Sequence, residues 1–377
     1  MLRARTAWLL ALLAAPAAAL PLPEPALAGP LTHEACADAR EAEPFLRTPT
    51  RLENLAFDGR GRMYVSAKDG GGILVVTPEA EVVHAIDADA HGIAWGPDGR
   101  LYAAVDGGDA TTIVRYDERW TPEEVARDVP ANNGMAFDDA GDLYVSEELP
   151  EPSRPSIVRV PAAAPHEHAR WSDVYGANGL AHDAGNRSIL AAVSFDQASR
   201  ILRIMLDDPR DVRTVATLSF GAFTPKPEVG LPPDPQAPLR PKALDDLALG
   251  PDGRIYVAAY MTGEVLRVEP RDGSACVLTG GLREPTSVRF ARGFGAWDGD
   301  LFVTTHGGET GTTVLQPAQA RPPLEPAVHR IPLGLPMPPQ EVDDRPAPDL
   351  EGARRVPAAA PWAALALALL LARRAKP

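Results

Sequence analysis

The chain repeats itself. A short apolar strand, a turn rich in Asp and Gly, and a second strand of apolar and aromatic residues together form a unit that returns six times. The clearest copies are "ENLAFDGRGRMYVSA" from Glu53, "HGIAWGPDGRLYAAV" from His91, "NNGMAFDDAGDLYVSE" from Asn132 and "DDLALGPDGRIYVAA" from Asp245. Two looser copies start at Asn178 and Thr286. Apolar runs on either side of an Asp-Gly turn read as antiparallel hairpins, and third runs such as "SIVRVP" and "GEVLRVEP" extend them to meanders. The units begin at 53, 91, 133, 178, 245 and 286, spacings of 38, 42, 45, 67 and 41 residues. That period is the length of a four-stranded propeller blade, so the expected fold is all-β, a six-bladed β-propeller over residues 51–335. A β-sandwich gives no reason for one motif to recur six times. The long spacing contains "TPKPEVGLPPDPQAPLRPK", whose prolines cannot supply a central strand, and is read as a loop between blades four and five.

A propeller lines its central channel with the first strand of every blade, so the opening residues of the units converge. They are Glu53, His91, Asn133, Asn178, Asp245 and Thr286, with Asp246 beside Asp245. Singly, an Asn or Asp before a strand is a turn or cap residue. Carboxylates and amides converging on one axis, with no thiol among them, are instead a set of hard ligands suited to Ca2+. The second strands end on the same face, and the loops beyond them add Lys68, Asp69, Asp106, Glu147, Asp196, Tyr260 and His306 to the mouth. Of these, Lys68, Glu147, Tyr260 and His306 are the expected substrate contacts. Asp98, Asp139 and Asp252 lie in the hairpin turns and are read as turn-formers.

On these motifs the body resembles the six-bladed calcium propellers of the senescence-marker-protein/gluconolactonase family and, in its ring, the paraoxonases. The resemblance implies that Glu53 in "LENLAF", Asn133 in "NNGMAF", Asn178 in "ANGLAH" and Asp245 and Asp246 in "LDDLAL" hold a calcium ion. It also implies that His91 in "AHGIAW" acts beside the metal. Two positions depart from the family. Asp106 stands where the paraoxonases place a second histidine, and Asn54 follows Glu53 where gluconolactonases carry Gly-Pro. The implied chemistry is hydrolysis of a small lactone or ester: calcium polarises the carbonyl, His91 takes a proton from the attacking water, and Asp106 orients His91. The alternative is a non-catalytic propeller in which calcium pins the blades while another face binds a protein, glycan or cell-envelope ligand. No G-x-S-x-G is present for a nucleophile elbow, and "HEHAR" at 166 lacks the second histidine of a zinc-protease helix.

Composition narrows the partners. A formal charge of -14, without runs of Lys and Arg interleaved with aromatics, disfavours nucleic acid. Arg3 and Arg5, the apolar stretch Ala7 to Leu20 and small residues ending at Ala28 read as a signal peptide over 1–28, with a cut after Ala19 as a second option. Residues 29–50 form a lead-in, 336–355 a proline-rich acidic linker, and 356–377 an apolar tail capped by Arg373, Arg374 and Lys376, similar to bacterial sorting or anchor segments. An exported monomer is expected, at the periplasm or cell surface and touching the membrane through its termini. Cys36 and Cys276 either form one disulfide or remain two buried thiols.

Overall fold

Each repeated unit forms the inner hairpin of a four-stranded antiparallel sheet. The computed structural model describes residues 33–107, 110–148, 156–164, 166–194, 199–218, 242–308 and 325–338. After β1 (Glu43–Arg47), blade one holds β2 (Leu52–Phe57), β3 (Met63–Ala67), β4 (Gly72–Val76) and β5 (Val82–Ile86). Blade two holds β6 (Ala90–Trp95), β7 (Leu101–Asp106), β8 (Thr111–Tyr116) and β9 (Pro122–Val129). Blade three holds β10 (Met135–Phe137), β11 (Leu143–Ser146), β12 (Ile157–Val160) and β13 (Ala169–Ser172). Blade four holds β14 (Ala177–Asp183), β15 (Ser188–Val193), β16 (Arg200–Met205) and β17 (Val212–Thr217). Blade five holds β18 (Leu244–Leu249), β19 (Ile255–Ala259), β20 (Glu264–Val268) and β21 (Ala275–Thr279). Blade six holds β22 (Pro285–Phe290), β23 (Leu301–Thr305) and β24 (Ala327–Ile331), with β1 as its outer strand. The six-bladed propeller read from the repeat is the fold.

The ring closes earlier in the chain than residue 51. β1, inside the expected lead-in, pairs antiparallel with β24 from Glu43↔Arg330 to Arg47↔Ala327, joining the first and last parts of the chain in one sheet. Upstream, the lead-in runs along blade five: Ala35 bridges Val277 in parallel, Arg40 N donates to Leu278 O at 2.9 Å, and Arg267 pairs with Asp38. Cys36 and Cys276 form the disulfide that fixes this strap, across 240 residues of sequence. The lead-in thus ties blade five to blade six. Most of the inserted loop, the signal and tail segments, and the linker beyond residue 338 lie outside the described residues. Among the described residues no helix is long and apolar enough to cross a membrane.

Apolar side chains lie between blades, giving six clusters for six interfaces. Leu52, Leu55 and Met63 of blade one meet Phe302 and Val328 of blade six, and Leu190 and Ile201 of blade four meet Leu247 and Val257 of blade five. Burial on both faces explains the near-continuous apolar runs of the inner strands.

One irregularity recurs where the ring residues sit. The pairing of the first two strands slips between Leu52 and Leu55, Ala90 and Ile93, Ala177 and Leu180, Leu244 and Leu247, and Pro285 and Val288. In each case two residues oppose one partner, a β-bulge that bends the strand and re-aims its side chains. The bulge pairs are Glu53-Asn54, His91-Gly92, Asn178-Gly179, Asp245-Asp246 and Thr286-Ser287, and Asn133-Gly134 holds the same place in blade three.

Candidate active site

The two residues of each bulge pair have different neighbours. The second lies against the next blade. Asn54 Nδ2 donates to His91 O at 3.1 Å, and Gly92 N donates to Asn132 O at 2.8 Å. A Cβ on Gly92 would fall 1.9 Å from Asn133 O, on Gly134 2.2 Å from Asn178 O, and on Gly179 2.3 Å from Asp246 Cα. Only glycine fits these approaches. In the pairs other than Thr286-Ser287, where Thr286 bonds Leu52 O of blade one, the first residue is left for the channel. There Glu53 of blade one meets His306 of blade six, and Asp245 of blade five feels the charges of Glu53 and of Glu148 from blade three.

Asp246 is the second residue of its pair, and its carboxylate is committed to blade six. Oδ2 accepts from Ser287 Oγ at 2.5 Å and from the Arg289 guanidinium, while Oδ1 accepts from Leu247 N at 2.8 Å. Read from spacing alone, Asp245 and Asp246 are equivalent; the bulge separates them.

Glu53 is held by two side chains on one oxygen. Its Oε2 takes the Lys68 ammonium at 3.1 Å and His306 Nε2 at 2.9 Å, and His306 Nδ1 is 3.2 Å from the Tyr260 hydroxyl. Burial raises the Glu53 carboxyl, but the hydrogen bond with His306 and the charges of Lys68 and His306 outweigh it and hold it below the usual carboxylate range. Lys68, Tyr260 and His306, all placed just beyond second strands, therefore meet at one point. Glu147 lies at the rim, where its backbone pairs with Ser156. Asp196 lies outside the described residues.

The spacing of the repeats did not single out Glu148, next to Glu147. Burial pushes its carboxyl up, against hydrogen bonds from Ser194 and Asn178. Its signal was the acidic pair Glu147-Glu148 two residues past a second strand, where alternation alone does not say which of the two turns inward. Asp245 is pushed well above the ordinary range by burial and then by Glu53, Glu148 and Asp246, with Lys68 relieving part of it. Three blades thus aim Glu53, Glu148 and Asp245 at one channel, where Asn178 bonds Glu148 and the buried Asn133 holds the matching position of blade three. No group of three or more His, Cys, Asp or Glu side chains in the described residues is gathered into a ready metal cage. A hard cation would draw on the amide oxygens as well. A cation there would offset the burial and like charge that disfavour ionised Asp245.

His91 is partly buried. Burial and then the Lys68 charge lower its pKa, against the pull of Glu53, Asp106 and Asp89. A neutral imidazole at pH 7 follows, able to take a proton. Asp106 is exposed at the end of β7, its N–H held by Asp89 O at 2.8 Å.

The blades are stitched around this ring by hydroxyls of the second strands. Ser66 Oγ donates to His91 O at 2.8 Å, Ser146 to Asn178 O, Ser194 to Leu244 O at 2.8 Å and Thr304 to Glu53 O at 2.8 Å. Three of these bonds fix the backbone of a ring position from the preceding blade, and that of Ser194, one residue past β15, fixes Leu244 just before Asp245. Thr286, the sixth ring opener, turns to the same task, donating to Leu52 O at 2.9 Å.

The chain shares its fold with a gluconolactonase. A structure of that enzyme from Xanthomonas campestris matches with a TM-score of 0.56 at 15% identity, covering 81% of this chain and 98% of that one. A luciferin-regenerating enzyme matches with a TM-score of 0.54 at 15% identity, covering 78% and 95%. The PQQ-bound aldose sugar dehydrogenase of Streptomyces coelicolor matches with a TM-score of 0.52 at 16% identity, covering 80% and 99%. No protein-family model and no curated protein matches the sequence. These neighbours establish the architecture, and they carry more than one chemistry on it.

An open groove of about 750 Å³ lies elsewhere, between blades three and four, lined by Trp171, Tyr175 and Arg200 among others. Two of its arginines are already paired, Arg170 with Asp173 and Arg210 with Asp208, and no ring residue reaches it. The channel mouth, not this groove, gathers the chemistry.

Proposed function

We propose that the protein is an exported hydrolase of small lactones or esters that works with a calcium ion in the channel mouth. The observation that carries this is the convergence of Glu53, Glu148 and Asp245 from three blades, with Asn133 and Asn178 in the same ring and the base His91 beside them. Glu53, Asn133, Asn178 and Asp245 would hold the ion, and Asp246 is left out because its Oδ2 serves the contact with blade six and its Oδ1 the backbone N–H of Leu247. Calcium bound there supplies a Lewis acid for a carbonyl oxygen. His91 accepts a proton from the attacking water, and the exposed Asp106 favours the imidazolium that forms. Tyr260 and His306 stand at the mouth to orient the acyl or leaving group. The buried strap disulfide supports export, since such bonds persist in oxidising compartments. The gluconolactonase neighbour supports the substrate class.

The test is elemental analysis of the purified protein, followed by a panel of lactones and aryl esters with and without chelator. Stoichiometric calcium is expected, with hydrolysis lost on chelation and reduced at least about 100-fold in His91→Ala while the metal stays bound. On the acid side the rate should fall with an apparent pKa below the 6.5 of an ordinary imidazole. No calcium, or no hydrolysis across the panel, removes the proposal.

A further inference from the structure

The chain holds 37 basic residues, of which only four are lysines: Lys68, Lys226, Lys242 and Lys376. The exposed ion pairs of the described residues are made by arginine, as in Arg115–Glu123, Arg187–Asp207 and Arg213–Asp211. Both lysines among the described residues instead sit against a glutamate. Lys242 is locked, its side chain 2% exposed and 2.9 Å from Glu264. Lys68 is different: its side chain is 22% exposed at the open mouth, while the Glu53 it meets at 3.1 Å is 7% exposed. Its charge also acts on Glu148, Asp245 and His91. The other cation nearby, Arg51, is held by Asp69 through two bonds of 2.9 and 2.7 Å. Lysine, a point charge on a flexible stem, leaves a carboxylate far more readily than a forked guanidinium does.

We propose that Lys68 is the resident cation of this channel, holding Glu53 until a divalent ion displaces it, so that its ammonium sets the metal affinity of the site. The inference rests on the calcium reading above and adds a residue to it. Two cations on one buried carboxylate repel strongly, so metal entry requires the ammonium to swing from Glu53 toward the mouth. His306 keeps its place on Glu53 Oε2 by hydrogen bonding and does not carry this charge competition alone. The site gains a metal that can be exchanged, and its loaded form gains an ammonium at the mouth, where a substrate carbonyl or anionic group enters.

Calcium affinity measured by calorimetry on wild type, Lys68→Met and Lys68→Arg tests this. Lys68→Met, which keeps the stem and removes the charge, should bind calcium about 10- to 100-fold more tightly, and Lys68→Arg no more tightly than wild type. In wild type, amine labelling followed by peptide mass spectrometry should show Lys68 reacting faster once calcium is added, with Lys242 as the unchanged internal reference; this readout needs no variant to fold. Unchanged or weaker affinity in Lys68→Met overturns the inference, as does labelling of Lys68 indifferent to bound calcium. If wild type still binds calcium in that case, the calcium reading stands; if neither wild type nor Lys68→Met binds it, both fall.

Discussion

The two ends of the inner hairpins obey different rules. At the turn end one device recurs. Asp58, Asp98, Asp138 and Asp252 each accept a backbone N–H of their own turn and the hydroxyl of Tyr64, Tyr102, Tyr144 and Tyr256 respectively. At the channel end the corresponding register positions vary, with five residue types at six places: Glu53, His91, Asn133, Asn178, Asp245 and Thr286. A repeat that is kept where it makes turns and varied where it faces the channel separates scaffold from chemistry without any ligand in view. The turn aspartates have their pairing needs met locally. Asp245 at the channel end does not, and burial and like charge push its carboxyl up.

The largest expected effect lies at the channel end. Asp245→Asn should lower hydrolysis about 100- to 1,000-fold and weaken calcium binding. Its melting temperature without metal should hold or rise, because an amide removes a carboxylate that burial and its neighbours disfavour. Asp138→Ala should do the opposite. It strips acceptors from the N–H groups of Ala140 and Asp142, each at 2.9 Å, and from the Tyr144 hydroxyl at 3.0 Å. A loss of about 1–3 kcal/mol in chemical denaturation is expected, with activity per folded molecule unchanged. If Asp245→Asn melts early while keeping its activity, the division between the two ends is wrong.

The turn end was legible in the sequence because period and turn chemistry are local. Even so, the aspartate that serves the third blade is Asp138, while Asp139 next to it is exposed and lies 3.7 Å from His182. The ring was legible as a set of positions, since each opens a unit. What the repeat could not convey was orientation. Spacing treats Asp245 and Asp246 as neighbours with equal claims, whereas a one-residue bulge sends them to different surfaces, and it likewise does not choose between Glu147 and Glu148. Closure was illegible for a related reason. β1 carries no copy of the motif, and its partner β24 lies at the far end of the chain. The Cys36–Cys276 bond likewise needed the ring to bring its halves to a Cα separation of 5.0 Å.

Acid offers a second way to separate frame from mouth. His329 in β24 faces Pro44 and Val303 in the ladder, and its Nδ1 is buried without a partner. Burial, and then the charge of Arg47, hold its pKa down at about 4. A base with a depressed folded pKa favours folding fully above its ordinary value of 6.5 and progressively less as pH falls from there toward 4. Stability should decline by up to about 3 kcal/mol across that window. His329→Leu should flatten the decline and change little at pH 7.5, as read from denaturation midpoints at both ends. An unaltered acid limb in this variant would assign the loss to other groups and leave blade six with no special part in it.

The smallest effect tests the boundary itself. Ser66 lies at the channel end but belongs to the repeated set, with Ser146 and Thr304 at the same step of their strands. Its hydroxyl accepts from Asn54 N at 2.9 Å and donates to His91 O at 2.8 Å, so Ser66→Ala leaves a buried N–H without its acceptor. That costs about 1–2 kcal/mol. His91 O keeps the bond from Asn54 Nδ2 at 3.1 Å, so the backbone of the ring position stays held from one side. Ala104 and Ala258 occupy the equivalent steps of blades two and five, which shows that a blade tolerates the loss. Ser66→Ala should therefore behave as a scaffold change, with a lower denaturation midpoint and calcium affinity within about threefold of wild type. A fall in calcium affinity as large as that of Asp245→Asn would mean that the stitch positions the ligands, and the boundary would then run one residue deeper into the second strands.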